Sequence, residues 1–330
     1  MPYGTMSKIA TIHLPSFFLL YLQITGLLPC AFCSEGPARR RQLWLSTSAA
    51  VVVLLSASLH AACVVGGNLI NHPNQLKQME FFTLIIFIGE LSRAISAVLC
   101  LLIMLVRARQ LPKLLTDINE DLFILFTPKT RRLVLLTAVC SGLWVLTAIG
   151  IYVYVEYDFN AASLRRWGDP WTVQWSWVLL DWHLTAKDFV TVFIFGTSVA
   201  VNTSVGLQML IMLVLVILER LLTQIEHKLQ NQTLTINEVK ALYRKLQKNM
   251  HAFNKMFSSL VLLFCVSDLV AIAAFFASEL RFVEPSKDDK FCNVYIARNW
   301  SLFVLVISVT MFLRTSACIA LYRKVQVVIR

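Results

Sequence analysis

A few ionisable residues stand inside long apolar stretches of this chain, and any chemistry is best sought there first. Glu90 and Arg93 lie three apart in the run Glu80–Val106, so on a helix they share a face and can pair. Asp268 stands midway along Met256–Leu280 with no cation at helical spacing. It must be neutral, paired with another helix, or in water. An ionisable group inside a bilayer is costly and is by default a functional-site candidate. Counted from Glu80 at about 1.5 Å per residue, Glu90 lies roughly 15 Å below the end of its run, a depth suited to a ligand pocket. The plainer readings are a self-neutralised Glu90–Arg93 pair and a cross-helix structural bond for Asp268. Arg314, late in another apolar run, is expected to snorkel to the interface and to have no binding role.

Aromatic side chains are the second group that could line a ligand site. Trp144, Tyr152, Tyr154 and Tyr157 fall in and after the run Leu133–Val155, and Trp300 and Phe303 open the run Asn299–Leu321. The alternative is an interfacial belt, which is rich in Trp and Tyr in any membrane protein. Between Trp167 and Trp182 stand five tryptophans with Asp169 and Asp181, either a lid over a pocket or an anchor at the membrane surface.

Other kinds of site find little support. Cys30-Ala-Phe-Cys33 is one Cys-x-x-Cys without a second pair, and Cys63, Cys100, Cys140, Cys265 and Cys318 fall in apolar runs, where a thiol behaves as a small hydrophobe. None of His13, His60, His72, His183, His227 and His251 has metal-ligand spacing. The glycosylation triplets at Asn202, Asn231 and Asn299 fall in a span, in a cytoplasmic loop and against the membrane, and none is expected to be modified. Without a Gly-rich phosphate loop, a Gly-x-Ser-x-Gly turn or a carboxylate cluster, the sequence reads as no enzyme, with no cofactor and no metal.

The elements that must position these residues follow from composition. Hydrophobic residues make up 57% of the 330 and charged residues 15%, with a mean hydropathy of +0.67. A soluble domain has roughly 45–50% and about 25%, so the chain is expected to be an all-α, polytopic membrane bundle. Six apolar runs are long enough to span as helices: Leu43–Gly66, Glu80–Val106, Leu133–Val155, Phe189–Leu218, Met256–Leu280 and Asn299–Leu321. A seventh stretch, Ile9–Cys33, contains Pro15, Pro29, His13 and Gln23. It either spans or forms a re-entrant or interfacial helix, and it is too long for the core of a signal peptide. The net charge of +11 does not point to nucleic acid, because the cations lie between apolar runs. Of 30 Lys and Arg, 20 fall in the loops 37–42, 107–132 and 220–255 and in the tail from Arg314, which the positive-inside rule assigns to the cytoplasm.

Past the fourth span, Leu218, Leu221, Leu222, Ile225 and Leu229 continue a helical stripe. Thr235-Ile-Asn-Glu238 has the form of a capping box, and Leu242, Leu246, Phe253 and Phe257 make a second stripe leading into the fifth span. A helical hairpin is therefore expected to project into the cytoplasm, as a connector or as an assembly surface. The organisation read from these features is an N-terminal cytoplasmic or interfacial segment, 1–42, a bundle, 43–322, with a cytoplasmic helical extension at about 219–255, and a cytoplasmic tail, 323–330.

Gln23-Ile-Thr-Gly-Leu-Leu-Pro29, with its Gly-x-x-Pro, resembles the N-terminal signature of the arthropod (insect-type) gustatory receptors. Leu242-Tyr243-x-x-Leu246 followed by Phe253-Asn254-x-x-Phe257-Ser258 is similar to the region before that family's fifth segment. The resemblance implies a chemosensory receptor subunit of the plasma membrane of sensory neurons, with both termini cytoplasmic. It also implies a small-molecule tastant in the extracellular half of the bundle, with Glu90, Arg93, Trp144, Tyr152, Tyr154, Asp268, Trp300 and Phe303 as candidate contacts, and a homo- or hetero-tetrameric ligand-gated cation channel in the lipid bilayer. The family's Thr-Tyr, five hydrophobics, Gln-Phe motif of the seventh helix is not found, and Arg314–Lys324 resembles the end of a sixth segment. Either the sequence is accordingly expected to be incomplete, or the chain is a degenerate or non-conducting member without its share of the pore. A G-protein-coupled receptor is the alternative if Ile9–Cys33 spans. Against it, no Asp/Glu-Arg-Tyr triplet follows the second span and no Asn-Pro-x-x-Tyr lies in the last. A transporter, which would show internal repeats and broken helices, ranks below both.

Overall fold

The computed structural model describes residues 16–29, 37–65, 81–108, 110–111, 113–118, 127–167, 186–231, 235–282 and 290–329. Among them are the helices α1 (Ser16–Ile24), α2 (Pro37–Val65), α3 (Phe81–Val106), α4 (Pro128–Trp167), α5 (Ala186–Gln230), α6 (Ile236–Phe282) and α7 (Lys290–Ile329), and residues 113–118 are helical as well. No strand occurs among the described residues. Helix starts follow local chemistry. Pro128 occupies the first helical position of α4, where its missing N–H is no loss, and the Thr127 hydroxyl accepts from the Thr130 N–H at 3.3 Å. At α6 the expected capping box is made: Glu238 N–H donates to Thr235 Oγ1 at 3.3 Å, and Thr235 N–H donates to Glu238 Oε2 at 2.8 Å.

Five of the expected spans are long and apolar enough to cross a membrane within α2, α4, α5, α6 and α7. The sixth runs through α3, an apolar helix of 26 residues. α5 is the axis of the bundle: 83% of its spanning window is buried, against 22–33% in the other four. Around it, α4 and α7 pack along α5, α3 packs along α6, and α2 packs along α3. The outer helices turn apolar side chains such as Leu55, Leu143, Leu262 and Phe312 outward, as helices do when lipid rather than water surrounds them. α3 and α6 meet closely because Gly89 has no side chain; a Cβ there would lie 2.5 Å from the Ala274 Cβ. Small residues permit this approach, and dispersion then holds the helices together where lipid removes the hydrophobic drive.

The N-terminal stretch turns back against the bundle in its described part. Its described helix is α1, Ser16–Ile24. It ends in a turn at Gly26, whose φ of 71° is a left-handed conformation glycine adopts without strain. A side chain there would also strike the backbone of Ala49. Phe18, Leu22, Leu27 and Leu28 are fully buried, Tyr21 donates to Asn202 Oδ1 of α5 at 2.5 Å, and Gln42 of α2 donates to Gln23 at 3.1 Å. Residues 9–15 and 30–33 of the expected segment lie outside the described residues, as do Trp171, Trp175, Trp177 and Trp182.

α5 and α6 run 45 and 47 residues, as the two stripes require. Leu218, Leu221, Leu222 and Ile225 are buried, as are Leu246 and Phe257. Leu229, the last of its stripe, is 45% exposed, because the hairpin ends there. Lys324 of α7 pairs with Glu226 of α5 at 3.1 Å beyond the apolar run.

Candidate functional site

A cavity of about 60 Å³ lies among the helices, and all six long helices contribute to its wall. His60 comes from α2, Arg93, Ser96 and Ala97 from α3, and Tyr152 from α4; Ser204 and Gln208 come from α5, Asp268 and Ala271 from α6, and Thr310 from α7. The polar residues lie inside apolar runs, so each needs a partner in a neighbouring helix or in the cavity. Counted along the apolar runs, His60 and Tyr152 lie towards the ends away from the cation-rich loops, and Arg93, Asp268 and Thr310 lie near the middle.

One side of the cavity is built around Arg93. Its guanidinium stands 5.8 Å from the centre of the Tyr152 ring and 5.5 Å from that of Phe303. The two rings lie 4.2 Å apart, tilted at 39°. A cation over an aromatic face is attracted by the ring quadrupole, more strongly where water is excluded. Tyr152 and Phe303 are 4% and 5% exposed, so the three make a rigid wall from α3, α4 and α7. Close by, Trp144 Nε1 donates to Thr310 Oγ1 at 2.9 Å, and the Thr310 hydroxyl donates to the Val306 carbonyl at 2.7 Å. Trp144 thus fixes a residue of the wall.

The floor is a buried polar cluster. Arg314 Nη1 donates to Gln208 Oε1 at 2.7 Å, and Arg314 Nη2 lies 3.4 Å from Asp268 Oδ2. Gln208 also bonds Asp268 and donates to Ser204 at 3.3 Å, and Arg314 reaches Cys265 Sγ at 3.5 Å. The side chains of Arg314 and Asp268 are 3% and 7% exposed. Asp268 therefore satisfies its need for a partner across helices. The expectation for Arg314 is corrected: it does not snorkel to the interface but ties α5, α6 and α7 together. Its own helix gives no sign of this, since both partners come from elsewhere.

Of the sequence candidates, Arg93, Tyr152 and Asp268 line the cavity, Phe303 backs Arg93 and Tyr152, and Trp144 braces Thr310. Tyr154 lies 51% exposed, away from the cavity. The side chains of Glu90 and Trp300 lie outside the described residues, so the proposed Glu90–Arg93 pair does too. Sequence reasoning passed over Gln208, His60 and Thr310. Gln208 carried the usable signal, an amide in the middle of an apolar run, which calls for a partner much as an ionisable group does.

The family model described as 7tm chemosensory receptor matches residues 16–326. No curated protein matches the sequence. By fold the chain is similar to the insect olfactory receptor OR5 from Machilis hrabei, with a TM-score of 0.65 at 12% identity over 94% of this chain and 79% of the other. It is likewise similar to the same receptor in complex with eugenol, with a TM-score of 0.62 at 15% identity over 92% and 78%.

Proposed function

The chain belongs to the 7tm chemosensory receptor family, a family of receptors rather than of enzymes, and from that premise we propose that it is a gustatory-type receptor subunit whose ligand is a small, largely apolar molecule held in the cavity beside Tyr152 and Arg93. The observation that carries the reading is the convergence of a cation, an aromatic pair and several hydroxyl and amide groups on one cavity in an otherwise apolar bundle. Apolar walls with a few convergent polar groups are the usual make-up of a small-molecule site. The similarity in fold to a receptor solved with eugenol supports the same kind of ligand. Taste rather than smell rests on the resemblance of Gln23–Pro29 and Leu242–Ser258 to the gustatory receptors.

A ligand among six helices senses their relative positions, and it acts by binding one arrangement better than another. Gln208 and Asp268 line the cavity and also hold Arg314. A ligand that engages either residue competes with Arg314 for it, so occupancy is coupled to the position of α7. In the full proposal the subunit joins a tetramer of the same family in the plasma membrane of sensory neurons, with cytoplasmic termini and a ligand-gated cation conductance.

Two experiments test the reading. Thermal unfolding of the purified chain is followed with a panel of sugars, alkaloids and phenols, eugenol included; a saturable rise in Tm with at least one compound is expected, and no rise with any would contradict the ligand assignment. A tag at Met1 is stained with and without permeabilisation, with a tag inserted between residues 168 and 185 as the surface control. The N-terminal tag is expected to appear only after permeabilisation; its appearance on intact cells would favour the G-protein-coupled alternative.

A further inference from the structure

At the cation-rich end of the bundle lies a groove of about 810 Å³ between α5, α6 and α7. Its floor is apolar, formed by Leu215, Leu218, Met250, Phe253 and Leu321, and Arg244, Lys248 and His251 stand along its rim. The floor residues mark where three apolar runs end: Leu218 closes that of α5, Leu321 closes that of α7, and Phe253 precedes Met256, where that of α6 begins. The groove therefore opens where the three apolar runs end, with its apolar floor at their edge and its cations beyond it.

The charge pattern around it is one-sided. Between Glu238 and Asp268 the sequence has no acidic residue. Lys240, Arg244, Lys248, His251 and Lys255 follow one another at three- or four-residue spacing, so they form one stripe along α6. The acidic residues nearby on α5 are engaged, Glu226 by Lys324 and Glu219 by Arg220, each at 3.1 Å. Among the described residues neither Arg244 nor Lys248 has an acidic partner, and both are exposed.

We propose that this groove binds an anionic phospholipid of the cytoplasmic leaflet, with its phosphate-bearing headgroup on Arg244, Lys248 and His251 and an acyl chain along Leu218, Phe253 and Leu321. Anionic lipid is concentrated at that leaflet, and basic pockets between helices at its surface suit such headgroups. The bound lipid would bridge α5, α6 and α7, the three helices that Arg314 ties together deeper in the bundle.

The test uses the full chain purified in detergent and three probes: short-chain phosphatidylinositol phosphate, short-chain phosphatidylcholine, and the inositol phosphate headgroup without chains. Saturable binding of the first is expected, with at least about ten-fold weaker binding of the other two, because each lacks one half of the match. Arg244→Gln and Lys248→Gln should each weaken binding roughly five-fold, and together about 25-fold, from the per-cation contribution at a membrane surface. An unchanged Tm in these exposed-site variants separates lost binding from lost fold, and Arg132→Gln, on α4, should leave binding unchanged. Equal binding of phosphatidylcholine, or unchanged binding by the double variant, overturns the proposal. Full affinity for the free headgroup would assign a phosphate site without a lipid and overturns it too. So does a cross-link from Lys248 to a second copy with no lipid bound.

Discussion

Two regions of this bundle, its cation-rich end and the polar cluster deeper in, share the helices α5, α6 and α7 and solve opposite problems. At the cation-rich end, Leu221, Leu222, Ile225, Leu246 and Phe257 fill the space between α5 and α6 with hydrocarbon. Few polar side chains are buried there, Asn249 and Thr130 among them. Deeper in the bundle these three helices bury Gln208, Asp268 and Arg314, and together with α2, α3 and α4 they enclose a cavity. Water beyond the bilayer makes apolar packing sufficient for the first end. Within the bilayer, lipid is as apolar as leucine, so specificity in the second region comes from polar partners and close backbone contact. The close-packed end is suited to holding helices in place and the polar cluster to responding to what enters it.

Breaking the polar cluster should have the largest effect. Asp268→Ala leaves the Arg314 guanidinium buried without its carboxylate, and stranding one member of a buried pair costs about 3–5 kcal/mol. The measurement is thermal unfolding together with the amount of chain at the cell surface. The paired change Asp268→Leu with Arg314→Met should recover most of the stability, since no charge is then left alone. Asp268→Ala with normal unfolding would show that the tie is dispensable. At the packed end, Leu222→Ala removes a side chain 1% exposed and should cost about 2–5 kcal/mol while leaving ligand response per receptor unchanged. A change in that response at equal surface level would blur the distinction between the two regions.

The smallest effect is expected at the tip of the hairpin. Thr235→Ala removes the cap of α6, a loss of about 0.5–2 kcal/mol. This tip lies well before Met256, where the apolar run of α6 begins. The Thr235 N–H and hydroxyl donate to Glu238 and hold its carboxyl below the ordinary value of 4.5. A lowered folded-state value stabilises above the unfolded one and is lost as pH falls through the folded value. The advantage of wild type over Glu238→Gln should therefore be level from neutral pH to about 5 and shrink only below that. Proteolysis of the hairpin as a function of pH checks this, and an advantage that grows in acid would contradict it.

Much of this contrast was legible in the sequence. The apolar runs, the capping box and the two stripes are periodic signals read along one helix at a time, and the structure contains each of them. Asp268 was legible as a residue in need of a partner, but the partner was not, because Arg314 and Gln208 stand on helices whose neighbours no pattern specifies. Tyr152 and Tyr154 could have been told apart: two positions along a helix turn a side chain about 200°, so one facing inward puts the other outward. The stretch Ile9–Cys33 stayed open because its prolines fit either a kinked span or a turn. The turn in its described part rests on a packing fact, the fit of Gly26 against Ala49.

The central claim is that ligand enters the cavity beside Arg93, and the most direct measurement compares two tyrosines two residues apart. Concentration–response curves for the most stabilising compound of the panel are recorded for Tyr152→Ala and Tyr154→Ala, each at matched surface level. Tyr152 lines the cavity and Tyr154 does not. The account predicts a loss of at least about ten-fold in sensitivity for Tyr152→Ala, the order expected for removing one buried aromatic contact, and a change within about two-fold for Tyr154→Ala. Equal losses in both, or a loss confined to Tyr154→Ala, would contradict it.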